Sequence, residues 1–85
     1  MSSKWNKESD FDHKIVWRNN KNPSITVEAH REGDREDEYY WYAYIGYAFI
    51  PKKGPGTENS PYIEDSKKEI ISVVARLKKE VEELK

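Results

Sequence analysis

Hydrophobic spacing divides the chain into three stretches. Residues 1–12 show no period, residues 13–50 hold short β-branched and aromatic runs of which 24–31 alternates apolar and polar, and from Ser66 onward the spacing lengthens to three and four. A period of two suits a strand with one buried face, and a period near 3.6 suits an amphipathic helix.

His13 to Arg18 (His-Lys-Ile-Val-Trp-Arg) is β-branched and aromatic, and Asn19-Asn20-Lys21-Asn22-Pro23 after it is a dense turn signal. Ser24 to Arg31 alternates, with Ile25, Val27 and Ala29 on one side and Thr26, Glu28 and His30 on the other. The strongest strand signal is Tyr39 to Ile50, an uncharged run holding most of the chain's aromatic residues. Its odd positions (Tyr39, Trp41, Ala43, Ile45, Tyr47, Phe49) are more apolar than its even ones (Tyr40, Tyr42, Tyr44, Gly46, Ala48, Ile50), so the odd set is expected to face the core.

Residues 51–61, with three prolines and two glycines, cannot hold a regular ladder and predict a long surface loop. Tyr62-Ile63 is a short extended piece that can return to the sheet. Ser66-Lys67-Lys68-Glu69 is a capping-box pattern, and Ile70, Val74, Leu77, Val81 and Leu84 then form the helix stripe, widened by Ile71 and Val73. Arg76 with Glu80, Lys78 with Glu82 and Lys79 with Glu83 are spaced as i,i+4 ion pairs. The expected fold class is α+β: a three-stranded antiparallel β-meander with one C-terminal α-helix packed on one face. Residues 1–12 are expected to be a flexible N-terminal arm, with Trp5 folded onto the core edge, and residues 13–85 a single βββα domain.

Composition narrows the chemistry. Of the 85 residues, 36% are charged, yet the net charge is only -1, so global charge selects no partner. The acidity is local, because residues 32–38 carry five acids against one arginine at a predicted hairpin tip. The absence of cysteine excludes a disulfide framework, a thiolate nucleophile and a Cys-ligated zinc. The N-terminus lacks the apolar run of a signal peptide, and the longest apolar stretch is too short and tyrosine-rich to span a membrane. A cytoplasmic protein of a microbe, or of a virus infecting one, is the expectation.

One helix covers one side of a sheet, which leaves Tyr40, Tyr42 and Tyr44 on the open face. Thr26, Glu28 and His30 join them if the connecting loop has an odd number of residues, and a tight Gly33-Asp34 turn would reverse that pairing. The aromatic strand also has a free edge in a three-stranded meander, open to a second chain. Exposed apolar rings are retained mainly where something binds. Asp10, Asp12 and His13 lack a second fixed ligand group and do not predict a metal site. His30 beside Tyr40 is more simply a packed strand residue than an acid/base pair, and Ser60 and Ser66 lie in loop or cap contexts. Lys52-Lys53-Gly54-Pro55-Gly56 lacks the spacing and following helix of a phosphate-binding loop.

The function expected from these features is a small non-catalytic protein-binding module, such as an inhibitor or adaptor of phage or microbial origin. Tyr40, Tyr42 and Tyr44 would anchor the partner, and Asp34, Glu36, Asp37 and Glu38 would present carboxylates to a basic groove, as on a nucleic-acid-handling enzyme. A homodimer through strand 39–50 or the C-terminal helix is compatible with it. The alternative is nucleic-acid binding, with the tyrosines as stacking platforms and Lys14, Arg18, Lys52 and Lys53 neutralising phosphates. Tyr40 to Ile70 resembles the small three-stranded DNA-binding domains of phage integrases, in which a strand, a basic turn and a capped helix follow each other. That resemblance implies DNA binding; the acidic 32–38 segment opposes it. Neither a cofactor nor an enzymatic activity is expected.

Overall fold

A computed structural model describes residues 4–33, 39–46 and 55–83. The strands are β1 (Trp5–Phe11), β2 (Lys14–Asn19), β3 (Thr26–Glu32), β4 (Tyr40–Ile45) and β5 (Tyr62–Glu64), and the helix is α1 (Lys67–Glu82). They form an antiparallel sheet in the order β1-β2-β3-β4-β5 with α1 on one face, so the α+β class stands while the strand count rises from three to five.

The first added strand comes from the segment assigned to the arm. β1 pairs with β2 from Trp5 opposite Asn19 to Phe11 opposite Lys14, and the register shifts between Lys7 and Ser9. That shift inserts Glu8 and breaks the alternation, which is why no period of two is legible in 5–11. Arg18 closes a bidentate pair onto Glu8 at this irregularity and donates to the Pro23 carbonyl at 2.6 Å. The Glu8 carboxyl is accordingly held below the usual carboxylate range by Arg18. Trp5, 8% exposed, packs into the core and donates from Nε1 to the Glu82 carboxylate at 3.1 Å.

The second added strand, β5, pairs Glu64 with Trp41, Ile63 with Tyr42 and Tyr62 with Ala43. The loop before it continues the cover, since Ile45 N–H donates to the Gly56 carbonyl at 2.7 Å. The edge expected to be free on the aromatic strand is thus occupied over 41–45. Gly56 takes φ 103°, a conformation costly for any residue with a Cβ. Residues 47–50, expected to extend this strand, lie outside the described residues.

Register between β3 and β4 resolves the facing problem. Val27 lies opposite Ile45, His30 opposite Tyr42 and Glu32 opposite Tyr40, so the connection Gly33 to Tyr39 has an odd number of residues. Thr26, Glu28, His30 and Glu32 therefore share a face with Tyr40, Tyr42 and Tyr44, and the odd residues of β4 face α1.

Ser66 caps the helix by accepting from Glu69 N–H at 3.2 Å. The Glu69 carboxyl, expected to reach back to the cap, instead lies beside Glu64, and a hydrogen bond between them raises the Glu64 pKa. Ile70, Val73, Val74, Leu77 and Val81 are the buried stripe of α1; Ile71 is exposed. The stripe lies against Trp41, Ala43 and Ile45 of β4 and Val27 and Ala29 of β3. Ala29 and Ala43 face each other at 0% exposure, small residues at the middle of the sheet with Trp17 and Trp41 on flanking rows. The C-terminal half of α1 reaches β1 and β2 by long side chains. Lys78 Nζ lies 4.4 Å from the Trp17 ring centroid, and Glu82 binds Lys4 at 3.0 Å. Burial, with Lys7 nearby, lowers the Lys78 pKa, while Lys4 and then Trp5 hold Glu82 low. Lys78 and Glu82 thus tie the helix to the strands, a role beyond the i,i+4 pair expected of them.

Candidate functional site

The face of the sheet opposite α1 is built from the even residues of β2, β3 and β4. One cross-strand row runs over all five strands as Phe11, Lys14, His30, Tyr42 and Ile63. The next row is Ser9, Val16, Glu28 and Tyr44. Phe11 and Ile63, at the two outer ends, are each 60% exposed.

The rings pack in parallel. His30 lies 5.2 Å from Tyr42 at 11° and 5.5 Å from Tyr44 at 4°, and Tyr42 lies 6.2 Å from Tyr44 at 14°. Offset parallel stacking suits the quadrupoles of such rings and holds them upright on the sheet. Tyr40 departs from the stack, tilted 45° to Tyr42 with centroids 6.3 Å apart.

Two carboxylates are set among the rings. Glu28 Oε1 lies 3.1 Å from His30 Nε2 and accepts the Tyr44 hydroxyl at 3.3 Å, while Thr26 donates to Glu28 Oε2 at 3.0 Å. His30 donating from Nε2 to this carboxylate is the tautomer that satisfies both groups. Glu32 accepts the Tyr42 hydroxyl at 3.3 Å. Burial raises the Tyr44 pKa well above the ordinary tyrosine range, with Glu28 and Glu58 adding to it. Tyr42 is raised by burial and then by Glu32. Both phenols therefore remain neutral hydrogen-bond donors across the physiological range.

Gly46 completes the base of the cluster. A Cβ there would clash with Thr26 Oγ1 and meet Glu28 Oε2 at 2.7 Å, so glycine is what allows the two strands to close over the network.

Of the residues expected to bind, Tyr40, Tyr42 and Tyr44 stand together on the face α1 leaves uncovered. Asp34, Glu36, Asp37, Glu38, Lys52 and Lys53 lie outside the described residues. Lys14 belongs to the long cross-strand row, but Arg18 is committed to Glu8 and Pro23. His30 stands opposite Tyr42 and contacts Tyr44, not Tyr40. The segment expected to be a flexible arm is instead β1, beside β2 within the sheet. Glu28, Glu32, Phe11 and Ile63 are additional members of this surface. The Thr26-Glu28-His30 alternation already placed the first on a wet face, whereas Phe11 and Ile63 belong to the two strands whose sequence is least strand-like.

Among the described residues no group of three histidine, cysteine or acidic side chains is arranged to hold a metal, and no helix is long and apolar enough to cross a membrane. Asp10 binds Lys7 and His13 stacks on Phe11. The chain matches no protein-family model, no curated protein and no solved structure.

Proposed function

We propose that this protein is a small non-catalytic protein-binding module whose open sheet face receives a partner bearing basic groups. The observation that supports it is the composition of that face: upright tyrosines with Glu28 and Glu32 built into the row. Tyrosine gives a partner large contact area at low entropic cost, and the carboxylates favour cationic groups on whatever lies against them. The acidic Asp34, Glu36, Asp37 and Glu38 follow Glu32 directly in sequence and would extend the same preference. An inhibitor or adaptor role toward an enzyme with a basic groove, as on a nucleic-acid-handling enzyme, fits this chemistry.

Direct nucleic-acid binding is less well supported. Phosphate recognition draws on unpaired lysine and arginine, whereas here Arg18 is neutralised by Glu8 and two carboxylates lie among the rings that would stack on bases. A second copy of the chain is a further candidate partner, by this face or by the exposed side of α1.

The test is affinity capture from host extract with wild type, Tyr42→Ser and, as a control on the helix, Lys68→Ala. A protein retained by wild type and Lys68→Ala, lost with Tyr42→Ser and resistant to nuclease treatment is the expected result. Recovery of nucleic acid in place of protein, or capture indifferent to Tyr42, overturns the proposal. Sedimentation of the purified chain identifies a second copy as the partner.

A further inference from the structure

We propose that Tyr40, Tyr42 and Glu32 form an anchor site for an arginine side chain of the partner. The inference rests on the binding function proposed above and adds the chemistry of the group recognised. Among the described residues the tyrosines are used in different ways. Tyr39 carries the Arg31 guanidinium 4.8 Å from its ring centroid, and Tyr62 carries that of Arg76 at 5.0 Å. Tyr42 and Tyr44 are packed against His30. Among the described residues Tyr40 has neither arrangement: it is 41% exposed, and its ring contact, with Tyr42, is tilted at 45°.

Glu32 supplies the second half of the site. It lies in register with Tyr40, accepts the Tyr42 hydroxyl, and among the described residues has no cation beside it. An exposed ring with a carboxylate at its side that has no cation partner among the described residues meets both demands of a guanidinium, which stacks by its plane and donates a fork of N–H groups at its edge. An ammonium ion gains the charge term but is compact, strongly hydrated and unable to stack in the same way, so the corner discriminates arginine from lysine. Ile63 lies opposite Tyr42 on β5 and offers apolar surface for the methylene stem of the bound side chain.

The test compares oligo-arginine and oligo-lysine peptides of equal length and charge, titrated into wild type, Tyr40→Ser and Glu32→Gln and followed by the aromatic NMR shifts of the face. Wild type is expected to bind the arginine peptide roughly tenfold more tightly, a difference of the size stacking and bidentate pairing produce. Both variants are expected to reduce arginine binding to the lysine level while remaining folded, as judged by circular dichroism. Equal affinities in wild type, or an arginine preference that persists in Tyr40→Ser, overturns the anchor. If that preference is absent while Tyr42-dependent capture of a protein still occurs, the anchor fails and the binding module stands. If both are absent, both proposals fall.

Discussion

Trp41 and Tyr42 are adjacent in sequence and face opposite sides of the sheet, so substituting each in turn measures how the two faces differ. Trp41 is 2% exposed beneath α1, and Trp41→Ala removes a fully buried indole from the centre of the core. Such truncations cost about 3–5 kcal/mol. A domain of 85 residues has roughly 4–13 kcal/mol of stability in all, at about 0.05–0.15 kcal/mol per residue, so this variant should lose a large share of its stability, and all of it if the domain lies at the lower end of that range. Tyr42→Ser removes the ring contacts to His30 and Tyr44 and an exposed hydroxyl bond to Glu32. Each aromatic contact is worth about 0.5–1.5 kcal/mol, and the partial burial of Tyr42 limits the remaining loss, so about 1–3 kcal/mol is expected. Urea unfolding followed by far-ultraviolet circular dichroism compares the two, with the midpoint reporting stability and the slope confirming that the same surface is exposed. A Tyr42→Ser loss as large as that of Trp41→Ala would show that the tyrosine face is core and would remove the basis for reading it as an interface.

Other consequences concern the packing of the two faces. Gly46→Ala should cost about 1–3 kcal/mol by forcing Thr26 and Glu28 apart from their present positions, and should move the His30 and Tyr44 ring resonances, which unchanged aromatic spectra would contradict. Ala43→Leu should cost a similar amount, about 1–3 kcal/mol, by pushing α1 off the sheet, measured by the same urea titration; an unchanged midpoint would mean that the helix does not rest on this row. Tyr44 holds its proton to higher pH in the folded state than in the unfolded chain, where it titrates near 10.0. Its contribution is therefore complete below pH 10 and is lost as pH rises through the folded value, so Tyr44→Phe should flatten the alkaline decline of stability, followed by tyrosinate absorbance and circular dichroism.

Much of the architecture is legible in single residues. Ser66 announces the start of α1 because its hydroxyl can accept an N–H that the first turn leaves unpaired. Ile70, Val74, Leu77 and Val81 announce its buried side because their spacing puts them on one stripe. Ile25, Val27 and Ala29 do the same for a strand at period two. The signal is weakest in the two outer strands: the register shift at Lys7 to Ser9 conceals β1, and β5, three residues long, is legible only as the short extended piece at Tyr62-Ile63. Periodicity reports burial, and short or irregular edge strands bury too little to show it.

The aromatic strand draws the division most clearly. Sequence by itself determined that this segment is extended, that its odd residues suit a core, and that Tyr40, Tyr42 and Tyr44 share the other side, because side-chain direction along a strand is a local property. Tertiary structure alone decided what meets those tyrosines. The odd-length connection from Gly33 to Tyr39 puts Glu28, His30 and Glu32 among the rings, and β5 occupies an edge that three strands would have left open. Arg18 turns from a candidate phosphate ligand into the partner of Glu8 for the same reason. Cross-strand neighbours are set by loop length and register, which bring together residues far apart in the chain, and no local pattern of hydrophobic and polar positions encodes them.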